Sequence, residues 1–583
     1  MFHRLNHRAG HYLILAAAWA LLSLPNLGAP SLWDIDEGHN AECAREMLDS
    51  GNWLVPTFNF QLRDHKPPLL YWLQIAAYEW FGVNEFSARL PSALAALAAV
   101  LLTYELGRLM FGAGVGLLAG LILVSAGMFC AAAHFANPDA LLNALTLATF
   151  FVVCRGMSRF TCSGLRFAPG AECHSDHAAD AKRKPTLPIS SVISAAILMG
   201  LAVLTKGPVG LLLPMAVIGL FLLWSRQLKL LLDGRLGWGV LAFILVAVPW
   251  YAWISAETKG EFTRGFFLTH NFGRFLSPME NHRGPIYYYL VALLLGFVPW
   301  SPMLIPALFY GFRRRKDEEI ERQGDQETGR PGENGTGFLA SWIIVYLVFF
   351  SLSGTKLPNY ILPIYPAAAI LTGWFLAEWR EGLHRIPDWV MHASLVGIGV
   401  VGLGASFGLL VGSGTMPVHW LRGREMPGLQ SWALVGLIPL VGMTLAFWFL
   451  RGGRRTGVVA SLSTAAVVFV GALAAWGTIH VDAFKAPRSL VAEAGACQTD
   501  RDIRIGCYQF YQPSLVFYCR REVRVLEDEN QVREFLRYPL PVYLFVSAQA
   551  WDALEGRISI PHHLLTHHRD IYKGIDVVVI TNQ

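Results

Sequence analysis

Apolar runs long enough to cross a membrane alternate with short polar loops through the first 480 residues. A bilayer crossing takes about 20 apolar residues, and about thirteen segments qualify. They lie near 12–29, 87–110, 114–133, 138–154, 188–204, 208–224, 236–254, 286–311, 338–353, 359–377, 389–411, 431–450 and 456–477. The first follows a basic start, His3, Arg4, His7 and Arg8, in the manner of a signal peptide. Its weak cleavage-site pattern, and the polar loop behind it, favour an uncleaved span. With the N-terminus in the cytoplasm, nearly every basic cluster falls on the cytoplasmic side. These clusters are Arg108; Arg155, Arg159, Arg166, Lys182, Arg183 and Lys184; Arg226, Lys229 and Arg235; Arg313, Arg314, Arg315 and Lys316; Arg380 and Arg385; and Arg451, Arg454 and Arg455. One missed span would spoil the alternation from that point onward. The loops 155–187 and 313–337 read as mobile cytoplasmic linkers.

Two stretches break this pattern. Residues 33–72 are rich in carboxylates, His, Lys and aromatics, and lie between the first two apolar runs. Within them 37–50 reads as an amphipathic helix, with Ala41, Ala44, Met47 and Leu48 on one side and Glu42, Arg45 and Asp49 on the rest. Gly51 ends it. From about residue 482 short β-like runs follow one another at 503–510, 515–518, 523–526, 542–546 and 576–580, with a helical segment at 529–537. The expected fold is a polytopic α-helical membrane protein with a small C-terminal α/β domain. Residues 1–480 form the membrane domain, with a catalytic loop at 31–86, and residues 481–583 form the second domain. An odd number of spans puts that second domain outside the cytoplasm. One disulfide among Cys497, Cys507 and Cys519 is open to it there.

Composition agrees with a membrane protein. The chain of 583 residues is 54% hydrophobic and 15% charged, with mean hydropathy +0.40, against about 25% charged in a soluble protein. The net charge of +5 is small, and its basic residues sit beside apolar runs, which suits membrane orientation rather than nucleic acid. The eight cysteines show no zinc-site spacing. No P-loop or dinucleotide fingerprint is present, so no nucleotide cofactor is expected.

The topology also sorts the unusual polar residues onto the outer face. Asp36, Glu37, His65 and Lys66 fall in the first outer loop, and Asp139 at the outer start of the fourth span. Lys206 lies at a Lys-Gly-Pro turn, His270, Asn271 and Arg274 in the fourth outer loop, and Lys356, Asn359 and Tyr360 at the next outer turn. Each has a plainer reading. Asp36 and Asp139 suit helix caps, the lysines suit snorkelling to the interface, and the histidines suit satisfied interfacial positions. Clustering on one face raises the functional reading, because ionisable groups at membrane depth are costly. Lys66 and Arg274, with Lys206 and Lys356, suit a phosphate. Asp36 suits a base that takes a proton from an attacking acceptor.

In order along the chain, Asp36-Glu37, AREMLDSGNWLVP, HKPPLLYW, TKGPVGLLLP, HNFGRF and KLPNYILPIYP resemble the aminoarabinose-transferase branch of bacterial membrane glycosyltransferases, relatives of the protein O-mannosyltransferases. The resemblance covers residues 30 to 380. It implies a C-type glycosyltransferase fold, a polyprenyl-phosphate sugar donor, a lipid or glycan acceptor, and inverting transfer with or without a divalent metal. By motif, Asp36 and its neighbour Glu37, with Asp139, take the catalytic acidic positions. Lys66 and Arg274, with Tyr360 nearby and Lys206 of the Lys-Gly-Pro turn, take the donor-phosphate positions. Lipid A aminoarabinose transferases carry Arg-Tyr where this chain has His39-Asn40, and Glu where it has His65. A metal would therefore need His65 with His270 or Glu37. The resulting expectation is an inner-membrane enzyme moving a sugar from undecaprenyl phosphate to a lipid A-type glycolipid on the periplasmic face. A protein O-mannosyltransferase is the alternative within the class, and a lipid-linked sugar flippase the alternative outside it. A flippase would carry its ionisable residues at mid-membrane depth.

Overall fold

The computed structural model describes residues 2–158, 187–278, 282–321, 333–382, 386–498 and 500–583. Residues 159–186 and 322–332 of the predicted linkers 155–187 and 313–337, with Arg159, Arg166, Lys182, Arg183 and Lys184, and also Arg385, lie outside the described residues, while 313–321 and 333–337, expected as linker, continue the helices Ser301–Glu321 and Glu333–Leu352. Among the described residues a helix or bent helix pair lies at each of the predicted spans. Nine helices among the described residues are long and apolar enough to cross a membrane: Glu85–Phe111, Pro138–Ser158, Ile189–Lys206, Leu236–Glu257, Asn334–Leu352, Pro358–Glu381, Asp388–Gly412, Leu429–Arg451 and Arg455–Asp482. Ala113–Val124 and Gly127–Ala133, bent by 69°, form a tenth when taken as one span, and Val209–Trp224 is a shorter apolar helix. The helix Pro358–Glu381 is the centre of the bundle. Ala367, Ala368, Ala369 and Gly373 let neighbours approach its backbone. Leu429–Arg451 lies on the outside, with Leu434, Val441 and Trp448 exposed where a bilayer would cover them.

The polar stretch after the first helix caps one end of the bundle. Its helix α1 (Asp36–Ser50) ends on Gly51, whose left-handed φ of 67° needs no side chain. The hairpin of β1 (Thr57–Phe58) and β2 (Gln61–Leu62) follows. Of the expected charged face of α1, Asp49 is exposed, but Glu42 and Arg45, and Glu46 beside them, are buried with the apolar residues. The reason is a second layer. The C-terminal domain lies over α1 and packs its own short helix α2 (Pro513–Cys519) against it. The charges are satisfied internally. Arg45 pairs with Glu42 and Asp49, and Glu46 accepts from Thr57 Oγ1 at 2.6 Å and from the Phe60 amide at 3.2 Å.

The C-terminal domain is a five-stranded mixed sheet of β3 (Arg504–Tyr508), β4 (Val523–Leu526), β5 (Val542–Ser547), β6 (His563–Asp570) and β7 (Ile575–Thr581), in the order β4-β3-β5-β7-β6. Strand β3 runs parallel to β4 and β5, and β7 antiparallel to β5 and β6. Residues 515–518, expected as a strand, are helical in α2. Its apolar run is buried on nearly every side, and such a run has no period that separates strand from helix. Strand β6 and the helices Ala486–Ala494 and Ala548–Glu555 escaped the sequence reading. The side chains of β6 are mostly exposed at the sheet edge, so it carries no apolar alternation. The disulfide left open above is not formed: Cys497, Cys507 and Cys519 are all free thiols.

Candidate active site

A cavity of about 400 Å³ opens where the cap meets the bundle. Asp36 lines it at the first turn of α1. Its carboxylate does not cap the helix, whose N-cap residue is Ile35 and has no side-chain capping bond. Glu37, one residue on, does not line the cavity. It pairs with Arg89 at 2.8 Å, both side chains 2% exposed, and accepts from the amides of Trp33 and Ala136 at 2.7 and 2.6 Å. Arg89 spends its other donors on the carbonyls of Leu27, Pro30 and Ser31. Glu37 therefore ties the loop to the bundle, a different part from the catalytic one expected of it.

Asp139 stands on another wall, at the start of Pro138–Ser158. It is not a cap either. Lys206 donates to one of its oxygens and Asn359 Nδ2 to the other, at 2.7 Å. The Lys206 ammonium also lies 4.9 Å from the centre of the Tyr360 ring. Four predicted positions from three distant motifs thus form one cluster.

The loop after β2 supplies the third wall with Arg63, His65 and Lys66. Facing it is a π-helical segment, Gly265–Gly273, which carries His270 and leads into Arg274. Asp64 joins the two: its Oδ1 lies 3.1 Å from His65 Nδ1 and 3.2 Å from His270 Nε2, and the two imidazole rings stack 3.8 Å apart. Gly265 makes this approach feasible, since a Cβ there would overlap the Asp64 carboxylate. The π-helical segment is itself held in place, with the Thr355 and Gly354 amides donating to the carbonyls of Arg274 and Phe275 at 3.1 and 2.8 Å. Lys356 does not reach the cavity. Its ammonium is buried against the carbonyls of Ser351 and Ser353 at 2.8 and 3.0 Å, closing the end of Asn334–Leu352. Its expected contact with a phosphate is not made by this geometry. The remaining wall is apolar, with Leu142, Leu213, Phe349, Phe350 and Pro363 extending down between the spans.

Burial would raise the Asp36 carboxyl, but Lys66, Lys206, Arg63 and Arg274 together outweigh it and hold it below the ordinary aspartate range. Burial brings Lys66 down to about 8 against the pull of Asp36. It lowers His65 to about 2, helped by Arg63 and His270, and lowers His270 as well. The His65 imidazole is therefore neutral and can offer a lone pair. The loop reaching Asp36 also holds Asp34, which lines the cavity and which burial lifts to about 7 despite two hydrogen bonds from Ser514. The cavity therefore combines an ionised carboxylate, several cations and an apolar wall. That combination suits proton removal beside a phosphate attached to a hydrocarbon chain.

Sequence reasoning missed Arg63, Asp64, His39 and Asp34. Arg63 and Asp64 directly precede His65 and were legible as part of one polar run. His39, which also lines the cavity, was noted only as a departure from the family pattern, and Asp34 gave no signal beyond proximity to Asp36.

A family model described as dolichyl-phosphate-mannose-protein mannosyltransferase matches residues 65–168. An uncharacterised protein of Aquifex aeolicus is 32% identical over 60% of this chain and 69% of its own length. The undecaprenyl phosphate-alpha-4-amino-4-deoxy-L-arabinose arabinosyl transferase of Shewanella sediminis is 27% identical over 97% of this chain and 94% of its own. The crystal structure of ArnT from Cupriavidus metallidurans bound to undecaprenyl phosphate superposes with a TM-score of 0.75. It is 25% identical and covers 98% of this chain and 97% of that one.

Proposed function

Because the chain belongs to the family of aminoarabinose-transferase-like and protein O-mannosyltransferase-like membrane glycosyltransferases, we propose that it transfers an aminoarabinose-type sugar from undecaprenyl phosphate to a lipid A-type glycolipid. The protein is a multi-pass membrane protein. This reading sets it in the bacterial inner membrane with its N-terminus in the cytoplasm and its sheet domain in the periplasm. The observation that carries it is the single cavity in which Asp36, Lys66, Arg274 and the Asp139–Lys206 pair meet above an apolar wall.

In this reading the first isoprene units lie against Leu142, Leu213, Phe349 and Phe350. Lys66 and Arg274 hold the donor phosphate by charge-assisted hydrogen bonds. The acceptor oxygen attacks the anomeric carbon and gives its proton to Asp36. The bond from that carbon to the phosphate oxygen breaks, and its electron pair leaves with the polyprenyl phosphate, whose charge the cations stabilise. One displacement inverts the anomeric centre. Lys206, fixed by Asp139, which Asn359 holds in turn, and facing Tyr360, completes the positive wall. The residues also fit a divalent metal. The ligand atoms of Asp64, His65 and His270 lie within 4.8 Å of one another, and His270 Nδ1 is buried without a hydrogen bond. Such an ion, held by these three, would supply positive charge beside the leaving phosphate.

A protein hydroxyl as acceptor is the second reading, favoured by the family-model match. Purified protein incubated with radiolabelled polyprenyl-phosphate sugars and a membrane extract tests both. Label in the lipid fraction that depends on Asp36 supports the first reading, and label in protein supports the second. No transfer from any polyprenyl donor would overturn the transferase.

A further inference from the structure

The backbone that leads into Asp36 is held at four successive residues by the chain beyond residue 481. The Ser31 amide donates to Asp482 at 2.8 Å, and the Leu32 amide to the Tyr518 hydroxyl at 2.7 Å. The Trp33 ring lies under the Lys485 ammonium at 4.4 Å. The Asp34 amide donates to the Tyr572 hydroxyl at 3.1 Å, and the Asp34 carboxylate accepts from the Ser514 amide at 2.8 Å and from the Ser514 hydroxyl. Gly38, one turn into α1, lies so close to α2 that a Cβ would meet the Ser514 nitrogen at 2.4 Å. On the other arm of the loop, Asn59 exchanges two hydrogen bonds with the backbone of Val523, at 3.0 and 2.8 Å. Both strands of chain that bring Asp36 and Lys66 to the cavity are thus registered on the sheet domain.

Asp34 is the tightest of these links and the nearest to the chemistry. It lines the same cavity as Asp36, and only Ile35 separates the two. A buried carboxylate that loses its donors relaxes toward others, and the Asp36 backbone would follow it. Displacements of the order of 1 Å in a reacting group change rates by about 100-fold. We propose that the sheet domain is a working part of the active site, with Ser514 a positioning residue that, by holding Asp34, fixes Asp36 for proton transfer. This rests on the transferase reading for its kinetic tests.

The full-length protein tests it. Ser514→Ala should lower kcat about 10–100-fold with the KM for donor within about twofold, and Ser514→Thr, which keeps both donors, should restore most of the rate. Asp34→Ala, which removes both bonds, should lower kcat at least as far as Ser514→Ala, which leaves the amide bond, and the double variant should be no slower than Asp34→Ala alone. Asp34→Asn, which can still accept from the amide and meet the hydroxyl, should keep most of the activity. Val578→Ala, in the core of β7 and away from the cap, is the control for domain stability. If it lowers the melting temperature as much as Ser514→Ala and kcat equally, the role is only structural. Additive losses in the double variant would also overturn the proposal. Hydrogen exchange of residues 31–38 gives a readout without transfer. Ser514→Ala should speed exchange there and leave β5 unchanged, and unchanged exchange at 31–38 overturns the holding role even if the wild-type protein transfers no sugar.

Discussion

Asp36 and Glu37 are neighbours in sequence and opposites in setting. One faces a cavity lined by cations, and its charge is kept available by their field. The other faces the bundle, saturated by a guanidinium and two backbone amides. A helical step of about 100° per residue separates the two faces. The same division recurs between Lys206, which stands at the cavity beside Asp139, and Lys356, which is spent on helix-end carbonyls. A charged residue at this end of the bundle serves the site only where a partner or ligand remains to be met from the cavity side.

The contrast is sharpest in the acidic pair. Asp36→Asn should lower transfer by about 10²–10⁴-fold, the range of a general base, with donor binding and melting temperature near wild type. Glu37→Ala should instead destabilise the protein by about 3–5 kcal/mol by stranding the buried Arg89, seen in thermal unfolding in detergent. Equal stability losses in the two variants would erase the distinction. The lysine and arginine contrast is smaller. Lys66→Ala or Arg274→Ala should weaken binding of polyprenyl phosphate by about 1.5–3 kcal/mol, the worth of a hydrogen bond to a charged group. Lys356→Met should leave that affinity within about twofold and lower the melting temperature, as the helix-end carbonyls lose their donor. The smallest effect is one of pH. Lys66 is lowered to about 8, so its charge is complete below that value and is lost as pH rises through it. Donor affinity measured in the empty protein should therefore fall above about pH 8, and the fall should vanish in Lys66→Met.

How much of this was legible varies with the range of the interaction. The spans, α1 and its glycine stop follow from local period and local backbone preference, and the sequence carries both. That Asp36, Lys66, Asp139, Lys206, Arg274 and Tyr360 fall at one end of the bundle followed from alternation of loops. Which of these groups touch was not legible. Asp139 and Lys206 are 67 residues apart, and Asn359 reaches Asp139 across 220. The fates of Glu37 and Lys356 depended on helix rotation and on a carbonyl cage that no spacing announces. Asp64 was hidden by its position between Arg63 and His65, and the close approach at Gly265 reveals what it joins.

The bond between Asp34 and Ser514 spans 480 residues. Synthesis runs from the N-terminus, so the helices can enter the membrane and pack long before residue 514 exists. Throughout that interval the segment 31–34 lacks its last anchors. A chain cut between the last bundle helix, which ends at Asp482, and α2 would possess the bundle and every charged group of the cavity, yet would lack the Ser514 bonds to Asp34. On the positioning role proposed for Ser514, the last part of the chain to be made is the part that completes the site.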